Sequence, residues 1–135
     1  MLACQQQPLR GARPGLGRFD VRLERGLKRG EIWTSASGTD YGGKPRPVVI
    51  IQHKHFEILD SVTICGFTRD PTELPLFRIA IEPSTSNGLD FPSRIMVDKI
   101  LTVPKIKLGY RIGYLDDGDI ARLNQALAIF IGLVG

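Results

Sequence analysis

The 135 residues are enough for one domain that buries a core without help from metals or disulfides. The two cysteines, Cys4 and Cys65, exclude a disulfide framework and fit a reducing compartment, with the cytoplasm as the simplest address. The net charge of +4 is uneven, because residues 1–30 carry +5 and residues 31–135 carry −1, so any nucleic-acid binding by the folded part must come from local clustering.

Residues 1–27 are rich in Gln, Gly, Pro and Arg without a sustained period, which predicts a basic, disordered N-terminal extension. A basic arm gripping nucleic-acid phosphates is the functional alternative. Leu2-Ala3-Cys4 has the look of a lipoprotein cleavage site but lacks the apolar segment that must precede one, so secretion is not expected. The longest apolar stretch, residues 126–134, is roughly half a bilayer span.

From Lys28 onward, short runs of Val, Ile, Phe and Thr are punctuated by Gly, Pro, Asn and Asp, the pattern of an all-β barrel. Strands are predicted over 30–35, 47–52, 61–68, 76–82, 94–103 and 110–115. Val48-Val49-Ile50-Ile51 is apolar on both faces and belongs at the sheet centre, with Pro45 and Pro47 limiting where the ladder can start. Asp116 and Asp119 mark a helix N-terminus ahead of Ile120, Leu123, Leu127, Phe130 and Ile131, an apolar stripe that predicts one amphipathic helix packed on the core.

Four segments stand in order: Lys28-Arg29-Gly30-Glu31-Ile32-Trp33, Gly43-Lys44-Pro45-Arg46-Pro47-Val48-Val49-Ile50, Cys65-Gly66-Phe67-Thr68 and Ser93-Arg94-Ile95-Met96-Val97-Asp98-Lys99. Together with Leu108-Gly109-Tyr110-Arg111-Ile112-Gly113 and the terminal helix, they resemble the MazF/PemK family of toxin endoribonucleases from Lys28 to the last residue. The resemblance implies a mostly β, SH3-like (PemK/CcdB-type) barrel with a C-terminal helix over residues 28–135. It also implies a homodimer, a cognate antitoxin, and sequence-specific cleavage of single-stranded mRNA without metal or cofactor.

In such cleavage the ribose 2′-hydroxyl attacks the adjacent phosphorus, so a site must accept one proton, supply another and stabilise the charged phosphorane. Arg46 matches the family's catalytic arginine, and its forked donors suit phosphate oxygens better than a proton-donating role suits a side chain that stays charged. Its structural alternative is a surface pairing with Asp40 or Glu31. Thr68 matches a family threonine that contacts the scissile phosphate, although a β-branched residue also suits a strand in its own right.

Asp98 stands where one branch of the family has a general base, but the arginine of that branch, two residues earlier, is here Met96. Arg94 is the nearest arginine on the same face, about 13 Å away along an extended strand. Pairing of Asp98 with Lys99 or a loop amide is the structural alternative. The branch's loop histidine is here Asp40, which favours the Arg46 and Thr68 pattern and leaves the proton acceptor open. Asp40, Tyr41, Lys44, Arg69, Arg94 and Lys99 complete the expected RNA-contacting set, Tyr41 as a base platform in a Gly-rich loop over 37–44. Trp33, inside a strand, reads as core. His53 and His55 lack the further ligands a metal needs.

Two rivals remain. A CcdB-like gyrase poison would act through its C-terminal helix, but the ending Ile131-Gly132-Leu133-Val134-Gly135 lacks that group's Trp-Gly-Ile. An inactive SH3-like binding module is the other.

Overall fold

The computed structural model describes residues 27–36 and 44–135. Of the expected extension over 1–27, residues 1–26 lie outside the described residues, as do Asp40 and Tyr41 in the first loop, whereas Leu27 is buried in the core beside Trp33, Ile50 and Leu108 and so belongs to the folded part. Six strands follow in order: β1 (Glu31–Ser35), β2 (Arg46–Ile50), β3 (Ser61–Thr68), β4 (Arg78–Ile81), β5 (Ser93–Pro104) and β6 (Leu108–Tyr114). One helix, α1 (Asp117–Phe130), closes the chain, and short 3-10 turns occupy Lys54–Phe56 and Lys105–Lys107. The mostly β reading with a C-terminal helix holds.

The strands form one antiparallel sheet in the order β4-β5-β3-β2-β1-β6. The ladder is open, since β4 and β6 are its two edges. The sheet curls nonetheless: the turn after β4 reaches β6, where Tyr114 N donates to Ser86 O at 2.9 Å. Gly113 and Gly88 make that approach possible. A Cβ on Gly113 would strike the Ser86 and Asn87 backbone, and one on Gly88 would strike the Ile112 carbonyl. Gly88 also sits at φ +69°, a conformation that favours glycine.

Both faces of the central strands are covered. Ile32, Val49, Cys65, Phe67, Ile95 and Val97 belong to one buried cluster, which α1 covers with Leu123 and Ala126. Trp33, Val48, Ile50, Val62, Ile64 and Val103 belong to a second. Alternation in β2 therefore feeds two cores, Val49 into the first and Val48 and Ile50 into the second, as its continuous apolar run requires. Trp33 is 2% exposed, with its indole N–H donating to Glu31 Oε1 at 3.0 Å, as a buried indole needs.

β5 changes face part-way along. Phe67 pairs with Ile95, whereas Cys65 pairs with Ile100, so extra residues of β5 bulge opposite Gly66. The irregularity moves Val103 to the second cluster although Ile95 and Val97 lie in the first, a switch that strict two-residue alternation would forbid. Met96 folds over the space above Gly66, and Asp98 lies within this bulged stretch.

Helix α1 starts where expected. Asp116 caps it by accepting from Asp119 N at 2.8 Å, and Asp117 and Asp119 place negative charge at the N-terminal end, where the helix dipole favours it. It ends in a Schellman motif: Leu133 N donates to Ala128 O and Gly132 N to Ile129 O, with Gly132 at φ +82°. Leu123 is buried and Ile120 and Leu127 pack against the core. Phe130 and Ile131, expected in the same stripe, are instead exposed, because the last turn runs beyond the sheet it packs on. No helix among the described residues is long and apolar enough to cross a membrane.

Candidate active site

The ends of β1, β2 and β3 converge on a cleft of about 430 Å³ that is completed by residues 88–91 and by β6. Arg46 opens β2, across from Ser35 of β1. Between β2 and β3 the pairs Val48–Gly66 and Val49–Cys65 set a register that, carried two residues on, brings Arg46 level with Thr68. Arg46 and Thr68, the last residue of β3, both line the cleft, together with Lys44 and Arg69. Pro45 and Pro47 flank Arg46 and fix its backbone in the extended region at the mouth of the central strand.

Thr68 Oγ1 accepts from Asp70 N at 3.2 Å. That bond uses an acceptor position and leaves the hydroxyl hydrogen for an incoming oxyanion. Asp70 is itself occupied: its Oδ1 accepts from Thr72 N and Thr72 Oγ1, which holds its carboxyl below the usual carboxylate range, the Thr72 hydroxyl being the main cause. The turn after β3 is thereby tied together directly behind Thr68.

The opposite wall rests on Asn87, which is buried. Its Oδ1 accepts from Ser84 N and Leu89 N, its Nδ2 donates to Glu82 O, and its own N–H donates to Ser84 Oγ. Such a satisfied side-chain network holds the turn rigidly, and Leu89, Asp90 and Phe91 follow from it into the cleft. Among the described lining residues the cations Lys44, Arg46 and Arg69 face one carboxylate, Asp90. The cleft is thus electropositive although residues 31–135 as a whole are not.

Other expected site residues lie elsewhere. Asp98 does not line the cleft; Arg78 of β4 grips it with Nε at 2.8 Å and Nη2 at 3.2 Å, and these hydrogen bonds hold the Asp98 carboxyl below the usual range. Its partner is neither Lys99 nor a loop amide, because β4 brings a guanidinium alongside from 20 residues away. Arg94, paired with Thr68 in the β3–β5 ladder, turns to Glu73 at 2.9 Å and Asp70 O at 3.2 Å. It lines a second groove with Arg78 and Arg122. Lys99 is exposed and outside the cleft. Glu31, one possible partner for Arg46, accepts instead from Trp33 and Arg111.

Asp90, Phe91 and Tyr110 of the cleft, and Asn87 in the turn behind it, escaped the sequence reading. The Asn87-Gly88 pair was a legible turn signal, but nothing local says that this turn crosses to β6. His53 and His55 pack against each other at a tilt in an exposed turn, with ring centroids 4.3 Å apart, and among the described residues no three His, Cys, Asp or Glu side chains gather as a metal site would need.

Comparison with known proteins places this geometry. The model of the PemK-like, MazF-like toxins of type II toxin-antitoxin systems matches residues 28–131. The chain belongs to this family. A protein named probable endoribonuclease MazF from Mycolicibacterium smegmatis is 45% identical over 109 residues, covering 81% of this chain and all of that relative. Endoribonuclease MazF of Staphylococcus saprophyticus is 30% identical over 115 residues, 79% of this chain and 92% of its own. Among solved structures, the Mycobacterium tuberculosis toxin MazF-mt6 superposes with a TM-score of 0.66 at 26% identity, over 78% of this chain and 99% of that one. A mycobacterial endoribonuclease in complex with its cognate antitoxin gives a TM-score of 0.67 at 23% identity, over 80% and 97%, and supports the fold.

Proposed function

We propose that this MazF-family toxin is an endoribonuclease that cuts single-stranded mRNA by attack of a ribose 2′-hydroxyl on the neighbouring phosphorus, without a metal ion. The observation that carries this reading is the convergence of Arg46, Thr68, Lys44 and Arg69 on one electropositive cleft. In the transition state, charge grows on the non-bridging phosphate oxygens. Arg46 presents two parallel donors to them, and the Thr68 hydroxyl adds a third. Lys44 and Arg69 attract the flanking backbone. Asp90 is the group there that accepts the 2′-hydroxyl proton when ionised, and the departing 5′-oxygen takes a proton from water. The products are a 2′,3′-cyclic phosphate and a 5′-hydroxyl.

The toxin acts in the cytoplasm as a homodimer, and a cognate antitoxin restrains it. Support for the antitoxin comes from the family's toxin-antitoxin description and from a structural relative solved with its own antitoxin.

The test is incubation of purified protein with a long RNA in EDTA, comparing wild type with Arg46→Ala and Thr68→Val and mapping the cut ends. Cleavage at defined sites with cyclic phosphate ends, lost in Arg46→Ala, is the expected result. Intact RNA from a wild-type protein that still arrests growth sinks the proposal and points to a non-enzymatic toxin.

A further inference from the structure

Two aromatic side chains stand open in the cleft that holds Arg46. Phe91 is 53% exposed and Tyr110 is 67% exposed, and both line the cleft walls. A folded chain gains more by burying rings of this size than by presenting them to water, so two of them beside an electropositive phosphate site point to a ligand with flat faces. We propose that Phe91, backed by Arg69, is a stacking surface for a nucleobase next to the scissile phosphate, with Tyr110 as a second. This rests on the endoribonuclease reading above and adds to it which side chains position the RNA.

The Arg69 guanidinium carbon lies 4.3 Å from the Phe91 ring centroid, within cation–π range. One face of the ring is therefore occupied by a planar cation, and bases stack on guanidinium planes as well as on aromatic faces. The pair forms a composite platform. Its phenyl supplies apolar contact for a base, and its charge lies where the adjoining phosphate must pass on the way to Arg46.

Both rings are carried by backbone that is already ordered. Phe91 follows the Asn87 network, and its carbonyl accepts from Ser93 Oγ at 2.9 Å. Tyr110 N donates to Thr34 Oγ1 at 3.1 Å, and Gly109 presses its backbone against the same threonine side chain. Platforms held this way lose little entropy on binding. Phe91 has no polar atom with which to read a base edge, so it contributes affinity and position for any base. The Tyr110 hydroxyl, able to donate and accept, is the group of the two that discriminates between bases.

The experiment takes an oligoribonucleotide spanning a mapped cut site, 2′-O-methylated at that site to block cleavage and carrying 2-aminopurine next to it. Wild type and Phe91→Trp quench the fluorophore and bind with similar affinity. Phe91→Leu, which keeps an apolar side chain but no ring, loses the quench and binds roughly 5- to 150-fold more weakly, the range of one lost base stack. Tyr110→Phe keeps affinity and shifts the distribution of cut sites on a long RNA. Thermal melts confirm that the variants are folded, and Arg69→Gln, at an exposed position, gives an independent reading with partial loss of the quench. Wild-type quench and affinity in both Phe91→Leu and Arg69→Gln overturn the platform while leaving the nuclease reading standing, provided wild type cuts RNA. A wild type that neither binds nor cuts RNA overturns both.

Discussion

Arg78 holds Asp98 through two hydrogen bonds, 2.8 and 3.2 Å long, between adjacent strands β4 and β5. The side chains are only 13% and 23% exposed, so the pair is shielded from the screening that weakens surface ion pairs. This is a structural clamp on the bulged part of β5. Asp98→Asn should lower stability by about 1–3 kcal/mol and leave RNA cleavage within about threefold of wild type, about half a rate decade. The Asp98 carboxyl is depressed in the folded state by Arg78, so its contribution is full above the ordinary value near 4 and is lost as pH falls through the folded value. Urea midpoints of wild type and Asp98→Asn should therefore draw together as the pH falls below about 4.

Arg46 and Thr68 carry the opposite expectation, large kinetic effects with small effects on folding. Arg46→Ala should reduce cleavage by about 10²–10³-fold, and Arg46→Lys should recover part of it, keeping the charge but not the fork. Thr68→Val, nearly isosteric, should cost roughly 10- to 100-fold, the worth of one hydrogen bond to a charged oxygen, whereas Thr68→Ser should stay close to wild type. Asp90→Asn should slow cleavage by about 100-fold or more. Single-turnover rates on a defined substrate separate these cases. A fully active Arg46→Ala would remove the basis of the mechanism.

The Asn87 network supports the cleft wall without touching the reacting atoms. Asn87→Ala leaves Ser84 N, Leu89 N and Glu82 O without the partners they have now, at a cost of about 2–4 kcal/mol. Because Asp90 and Phe91 follow from this turn, KM should rise as well. Denaturation together with cleavage kinetics reads both effects. A destabilised variant with unchanged KM would separate the wall from RNA binding.

Cys65 is fully buried in the core, and burial, as the main cause, pushes its thiol up to about 12. At pH 8 essentially none is thiolate, the form that reacts with alkylating agents. In a Cys4→Ser background, iodoacetamide at pH 8 should leave the native protein unlabelled and modify it once denaturant is added. Mass spectrometry before and after denaturation checks this.

The local features of the sequence decided a good deal. The span predicted over 61–68 is the strand Ser61–Thr68 itself. The doubly apolar run after Pro47 became the buried strand β2, with β1 and β3 on its two sides. Asp116 caps α1 as its spacing with Asp119 required. These are properties of a residue and its near neighbours, set by side-chain period, by proline geometry and by capping chemistry. The place of Arg46 at the mouth of the central strand was legible from the turn that carries it.

Only the tertiary structure decided which side chains share the cleft. Thr34, Arg46, Thr68, Phe91 and Tyr110 come from five separate segments, and their meeting depends on strand order and on the turn at 84–88 crossing to β6. The same holds for Asp98. Its position on a strand was foreseen, but its partner comes from a neighbouring strand, and a shift in the β3–β5 register alters which face each β5 residue presents. Periodicity reports whether a residue is covered. It carries no information about which distant strand does the covering, because that choice is made by the packing of the whole sheet.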